Sequence, residues 1–267
     1  MTYDLRTEAW IPFRRADGVV QWGPPSLLTD AIAENPIVAL AAPRPDFNGA
    51  LTEFLIGLFS AALKAEDEDA WLEFWHHPPS PADLAKALAA LPDAFDLDGD
   101  GPRFLQDATA ADFADDKTVN AVEALLIDAA GGQTAKLNKD LFVKRDRVVR
   151  MGRPAAAMAL LALQTYAPSG GQGHRTSMRG GGPLVTLIEP RTNAEGGSLA
   201  DREPLWRKIW ANAETVDEWR ERGPDTADAD DKMIFPWLAP TRTSDPKNKG
   251  KTTTEMDGHP LQAYFGM

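Results

Sequence analysis

Residues 136–189 read KLNKDLFVKRDRVVRMGR (Lys136–Arg153), PAAAMALLALQTYA (Pro154–Ala167), PSGGQGHRTSMRGGGP (Pro168–Pro183) and LVTLIE (Leu184–Glu189). The alanine- and leucine-rich run, opened by Pro154, has the composition and length of a buried helix. The glycine-rich run after it cannot continue that helix, and LVTLIE is strand-like. A helix, an irregular loop and a strand in sequence point to mixed α+β structure. The charge is unusual as well. This stretch holds nine Lys/Arg against three acids, a local balance of +6, while the whole chain is −12, so the remainder carries −18. Positive charge concentrated in an acidic chain points to an anionic ligand or an acidic partner surface.

Outward from this stretch, the chain reads as short strands followed by helices. Trp10–Phe13 and Val19–Trp22, joined by the turn Arg14–Gly18, predict a β-hairpin. Ser26 is placed to cap a short segment, Leu27–Asn35, and Ile37–Ala42 is strand-like. Leu51, Phe54, Leu55, Leu58, Phe59 and Leu63 recur at intervals of three and four, which predicts a core helix over Gly49–Ala65 capped by Asn48. Trp71–His77 reads as an aromatic helix. Ser80-Pro81-Ala82-Asp83 is a helix start. Asp116–Ala130 reads as a helix ended by Gly131-Gly132. Pro204–Ala213 and Val216–Arg222 read as helices around Trp206, Trp210 and Trp219. The last stretch, from Phe235, has little periodicity. Its loop Thr241–Lys251 carries Arg242, Lys247, Lys249 and Lys251.

Composition narrows the chemistry. At 267 residues with 43% hydrophobic content, the chain can bury a substantial core. No apolar run reaches the length of a membrane span, and the N-terminus lacks the layout of a signal peptide, so a cytoplasmic protein is expected. With no cysteine, thiol catalysis, disulfides and cysteine-bound metals are excluded. The net charge argues against general coating of nucleic acid but leaves room for a local basic groove, since screening confines each charge to about 8–10 Å.

Several motifs resemble catalytic or metal sites and fall short. Asp96, Asp98, Asp100, Gly101 and Asp107 have calcium-loop spacing. However, Pro102 and Arg103 occupy positions that such loops fill otherwise, and Asp107 stands where Glu is usual, so an acidic turn is expected. His76, His77, His174 and His259 have no paired ligand spacing, and no metal site or cofactor is expected. Ser169–Ser177 lacks the lysine of a nucleotide-binding P-loop and follows a helix. What its glycines allow is close approach of another backbone. Exposed amides there can form anion nests, and Arg175 and Arg179 can both face one phosphate backbone. A plain surface loop fits equally. Phe142, flanked by Lys139, Lys144 and Arg145, suits base stacking with phosphate contacts; a short strand burying Phe142 and Val148 is the other reading. As an enzyme, the chain would use Gly170–Arg179 on a phosphorylated small molecule.

The segment APSGGQGHRTSMRGGGPLVTLIEP (Ala167–Pro190) resembles the glycine-rich loop of the CasA family, the large subunit of the type I-E CRISPR Cascade surveillance complex. LRTEAWIPF (Leu5–Phe13), RFLQD (Arg103–Asp107), LLIDAAGGQTAKLNKDLFVKR (Leu125–Arg145) and the stretch Phe235–Met267 resemble family elements in the same order, so the likeness spans the chain. The resemblance implies a non-catalytic subunit of CRISPR antiviral defence with an α+β, irregular N-terminal domain of mixed helices and short sheets. It implies recognition of the protospacer-adjacent motif in target double-stranded DNA. It further implies docking on the guide RNA and other Cascade subunits, and recruitment of a helicase-nuclease. By position, Lys139, Phe142, Val143, Lys144 and Arg145 would form the loop that docks on the guide-RNA complex. Gly170, Gly171, Gln172, Gly173, His174, Arg175 and Arg179 would form the loop facing the motif. One of Lys247, Lys249 and Lys251 would enter the same minor groove. Gln172 departs from the glycine run of some relatives, which bears on the motif read. Family members continue well beyond residue 267. Residues 1–267 are therefore expected to be an incomplete N-terminal domain, without the family's C-terminal four-helix bundle.

Overall fold

The computed structural model describes residues 2–107, 119–141, 143, 146–167, 185–190, 203–222, 231–239 and 259–265. Helix α1 (Pro45–Leu63) lies at the centre of the fold. Its apolar side chains are not confined to one stripe: Leu51, Phe54, Leu55, Ile56, Leu58 and Phe59 are all fully buried. A helix apolar on every side is stable only when enclosed. It is surrounded by a small sheet, by helices α3 (Pro81–Ala89), α5 (Arg153–Tyr166) and α6 (Leu205–Trp210), and by a 3-10 helix, Pro260–Phe265.

The predicted hairpin is present. β1 (Ile11–Arg15) pairs antiparallel with β2 (Val20–Gly23), with Phe13 opposite Gln21. β3 (Ile37–Leu40) pairs with the other edge of β1, giving the order β2-β1-β3 with a bulge at Arg14/Arg15. The fold is α+β. Arg15 is buried beside the bulge, where it donates to Gln21 Oε1, to the carbonyls of Asp30 and Asn35, and to the Asp30 carboxylate. A buried guanidinium satisfied in this way closes the hairpin onto the loop that follows it.

Helix α2 (Glu68–His76), capped by the Asp67 side chain, lies against α6 through an aromatic ladder. Trp75 stacks on Trp71, Trp71 on Trp210, and Trp210 on Trp206. The indole N–H groups of Trp206 and Trp210 donate to the carbonyls of Phe74 and Trp71. Each large ring is thereby buried with its polar atom satisfied. A second aromatic cluster closes the other side of α1. Phe54 meets Trp10, Phe104 and Phe265 edge-on at 5.6, 5.7 and 6.1 Å. Phe95, Phe235 and Trp237 complete it.

Four expectations from the sequence are corrected. Ser26 lies inside a 3-10 helix, Pro25–Thr29, rather than capping one. Helix α1 begins at Pro45, and Asn48 is not its cap; the Asn48 amide bonds the backbone of Ala42 from both sides instead. Of the helix expected to end at Gly131-Gly132, the described part is only a 3-10 helix, Val122–Leu125, and a short helix, α4 (Gly132–Lys136), begins where an end was expected. No side chain of Val122–Leu125 is fully buried, and a helix without a buried face gains too little to form. Residues 185–190 are not a strand. The backbone N–H and carbonyl of Ile188 are instead bonded by the side chain of Asn212. Helices α3, with Ser80 as its cap, α5, α6 and α7 (Val216–Arg222) lie where they were expected to within a few residues.

His259, which precedes the last 3-10 helix, is buried beneath the ring of Trp219, and its Nδ1 accepts the Leu261 N–H. Burial, with Lys64 nearby, pushes its pKa down from 6.5 to about 4. The folded state therefore binds protons less readily than the unfolded state. This contribution is complete above pH 6.5 and is lost as pH falls through about 4, amounting to about 3 kcal/mol. The urea-unfolding free energy of the wild type, measured against His259→Asn, should fall by about that amount between pH 7 and pH 4. A constant difference between the two proteins would show that His259 does not titrate in this way.

Candidate nucleic-acid interface

Most residues singled out from the sequence flank described elements without belonging to them. Phe142, Lys144, Arg145, Gly170, Gly171, Gln172, Gly173, His174, Arg175, Arg179, Lys247, Lys249 and Lys251 lie outside the described residues. Lys139 and Val143 lie within them. They line a shallow surface hollow of about 240 Å³ together with Asp128, Gly131, Thr134 and Leu141. The Lys139 N–H closes the turn after α4 by donating to the Thr134 carbonyl, while Asn138 takes a left-handed φ of 51°.

Side-chain exposure sets this stretch apart. Leu137 is 56%, Leu141 85% and Val149 77% exposed, and Lys136, Lys139, Arg147 and Arg150 are exposed among them. Isolated apolar side chains on a surface are ordinary, but several interleaved with cations form a strip able to meet bases and phosphates together. Val148 is only half-buried and residues 146–150 form no strand, so the short buried strand considered from the sequence is absent from the described part of this stretch.

Arg153, at the first position of α5, closes the strip. Its Nε donates to Asp98 at 2.6 Å and its guanidinium lies over the Tyr3 ring. Asp98 also accepts the Tyr3 N–H at 3.0 Å. The Arg153 hydrogen bond, reinforced by this N–H, holds the Asp98 carboxyl below its ordinary pKa. The acidic turn with calcium-like spacing is thus a receiving site for arginine. Among the described residues, no three metal-ligating side chains converge.

A second feature lies at the base of the glycine-rich segment. A groove of about 550 Å³ separates β3 and α1 from residues 185–189 and α6. Tyr166, the last residue of α5, lines it together with Val185 and Leu187, so residues from before and after the glycine-rich segment share its lining. Arg14 and Lys208 bring positive charge to its walls. On its floor the Tyr166 hydroxyl donates to the buried Glu53 carboxylate at 2.6 Å. Gly49 makes this contact possible: a Cβ there would lie 2.6 Å from Tyr166 Oη. Across the groove, Asn212 holds the backbone of residue 188. Its Oδ1 accepts the Ile188 N–H at 2.7 Å, and its Nδ2 donates to the Ile188 carbonyl at 2.9 Å. Lys208 pairs with Glu189 at 2.5 Å. Sequence reasoning missed Glu53, Tyr166 and Asn212. Glu53 sits in an otherwise apolar helix, which is a weak signal, and nothing in the sequence distinguishes the other two.

The fold is shared with parts of solved CRISPR-associated structures. The chain matches the Cse1 of Acidimicrobium ferrooxidans at TM-score 0.52 and 18% identity, over 84% of this chain and 40% of that one. It matches the Cse1 of Thermobifida fusca at TM-score 0.50 and 24% identity, over 63% and 31%. A chain of a CRISPR RNA-guided surveillance complex aligns at TM-score 0.47 and 19% identity, over 63% and 35%. The chain spans 31–40% of the length of these relatives. Among curated proteins, none matches it. The sequence model of CRISPR-associated protein Cse1 matches residues 4–267, and the chain belongs to that family. Cse1 and CasA are one family, as the double name of the Thermus thermophilus member, CasA (Cse1), shows.

Replacing Tyr166 by Phe removes one donor from a buried carboxylate and should lower the unfolding free energy by about 1–3 kcal/mol. Chemical denaturation compared with wild type checks this, and an unchanged midpoint would show that water replaces the hydroxyl.

Proposed function

We propose that this chain is the part of the Cascade large subunit that docks on the guide-RNA complex and reads the adjacent motif on target double-stranded DNA. Residues 1–267 act as its N-terminal domain, without catalysis, and contribute to recruiting the helicase-nuclease. Besides family membership, the observation that carries the reading is the exposure of Leu137, Leu141 and Val149 together with Lys136, Lys139, Arg147 and Arg150, in a chain that as a whole carries −12. An acidic body repels free nucleic acid, so binding depends on such local segments and on the assembled complex, which supplies further phosphate contacts and a high effective concentration. The loop around Phe142 faces the RNA-bearing complex, and the segment Gly170–Arg179 faces the motif. One of Lys247, Lys249 and Lys251 enters the minor groove, whose donor and acceptor pattern is degenerate enough for a small reader. No helix among the described residues is long and apolar enough to cross a membrane.

Phe142→Ala should weaken incorporation of the full chain into the guide-RNA complex by about 1–3 kcal/mol, the usual loss for one base-stacking ring. Titration at low protein concentration measures it, and unchanged incorporation removes Phe142 from the interface. In a scan of Lys247, Lys249 and Lys251, one alanine variant should reduce motif-bearing duplex binding and lower the salt slope by about one while leaving assembly intact. Equal small losses at all three would indicate charge without specificity.

A further inference from the structure

Strand β3 is an edge of the sheet, whose order is β2-β1-β3. The Ala41 N–H donates to the Pro12 carbonyl at 2.8 Å, and Leu40 stands opposite Phe13. Bonded positions alternate along an antiparallel pair, so the N–H and carbonyl of Leu40 point away from β1. Ala42 has the same orientation, and its outward N–H and carbonyl are taken by the side-chain amide of Asn48 at 2.8 and 3.2 Å. That amide offers the acceptor and the donor that a neighbouring peptide unit would offer. The equivalent groups of Leu40 have no partner among the described residues. Leu40 and Asn48 both line the groove of about 550 Å³. An open strand edge of this kind is a template for pairing with another chain.

The side chains around the edge define what it can accept. Val38, Leu40, Val185 and Leu187 give the groove aliphatic walls. Arg14, opposite Ala39, also lines it, and no acid among the described residues pairs with Arg14. The other charges are compensated: Lys208 pairs with Glu189, and Glu53, 2% exposed, holds the Tyr166 hydroxyl. Arg14 is therefore the charge that the groove presents to a ligand. On the same face of the sheet, Val20 stands opposite Arg14 and Trp22 opposite Pro12, 50% and 47% exposed, so apolar surface continues from the groove across the hairpin. A nucleic-acid strand carries a phosphate at every nucleotide and is bound by a row of cations, which one arginine among aliphatic side chains does not supply. An extended peptide matches all three features, with its backbone for Leu40, apolar side chains for the walls and a carboxylate for Arg14.

We propose that the outer edge of β3 and its groove form a docking site for a short extended segment of a partner protein, which adds as a strand at Leu40 and pairs a carboxylate with Arg14. The bulge at Arg14/Arg15 on one side of Leu40 and the Asn48 amide on the other limit the open edge to a few residues. The site therefore accepts one short segment and does not seed open-ended growth of the sheet.

The test uses the full chain and two fluorescent octapeptides with blocked termini, one alternating Val and Glu, the other alternating Val and Lys. A chain carrying −12 would, by net charge alone, prefer the Lys peptide. The Glu peptide should instead bind saturably and at least about tenfold more tightly than the Lys peptide, and Arg14→Glu should reverse that preference. The Leu40 amide should exchange with solvent rapidly in the free chain and slow by at least about tenfold when the Glu peptide is bound. Leu40→Pro removes the outward N–H while leaving the bonds of its neighbours to β1, and should weaken the Glu peptide by about five- to tenfold. If that variant folds poorly, Arg14→Glu and the exchange of Leu40 decide the matter. Preference for the Lys peptide, no saturable binding of the Glu peptide, or an unprotected Leu40 amide in the peptide-bound chain overturns the proposal. Displacement of the Glu peptide by an equal concentration of single-stranded octanucleotide overturns it as well, since the groove would then be a nucleic-acid site.

Discussion

Helix α1 is enclosed on all sides, and the remaining elements are arranged by that requirement. Its side chains provide no polar face, so each turn must be covered by another element: the sheet at one side, α3 and α5 at others, α6 and the last 3-10 helix at the rest. Burying an aromatic or large aliphatic side chain stabilises by about 1.5–3 kcal/mol, and α1 alone fully buries Leu51, Phe54, Leu55, Ile56, Leu58 and Phe59. Two glycines allow the closest approaches. Gly49 admits the Tyr166 hydroxyl and Gly57 admits the Tyr264 side chain. Tyr166 ends α5 and Tyr264 lies in the last 3-10 helix, so the two glycines let both elements pack directly on the central helix.

The same packing accounts for the sequence motifs shared with the family. The aromatic and most aliphatic side chains of WIPF, RFLQ and FPWL are buried. Trp10, Phe104, Phe235 and Trp237 bury their rings in one cluster around Phe54 and Phe265. Trp10 and Trp237 donate their indole N–H groups to the carbonyls of Leu5 and Ala94, each at 2.7 Å. These elements therefore identify the family by its core.

Charge is distributed on the same principle. Most arginines among the described residues are engaged locally: Arg6 by Asp4 and Asp93, Arg44 by Asp46 and Asp128, Arg220 by Glu66 and Asp217. Such exposed or half-exposed pairs contribute little to stability, about 1 kcal/mol at most, yet they neutralise cations that would otherwise attract phosphate. Lys136, Lys139, Arg147 and Arg150 lie exposed in the same stretch as the exposed Leu141 and Val149. Asp98 has a similar role in the acidic turn, where spacing alone suggested a cation site and the observed partners are Arg153 and the Tyr3 backbone.

Periodicity and capping residues in the sequence determined the hairpin, the core face of α1, the start of α3 at Ser80, and the helices α5, α6 and α7, because these depend on local spacing and on burial that an apolar pattern demands. Composition determined the basic island and the absence of thiol chemistry. The tertiary structure decided the rest. The stretch before Gly131 forms no continuous helix in its described part, where no side chain of Val122–Leu125 is fully buried, and residues 185–190 form no strand, the backbone of Ile188 being bonded by the Asn212 side-chain amide. Single hydrogen bonds between residues distant in sequence, Glu53 with Tyr166 and Asn212 with Ile188 and Tyr264, leave no trace in local pattern. They exist only once packing on α1 has brought their elements together.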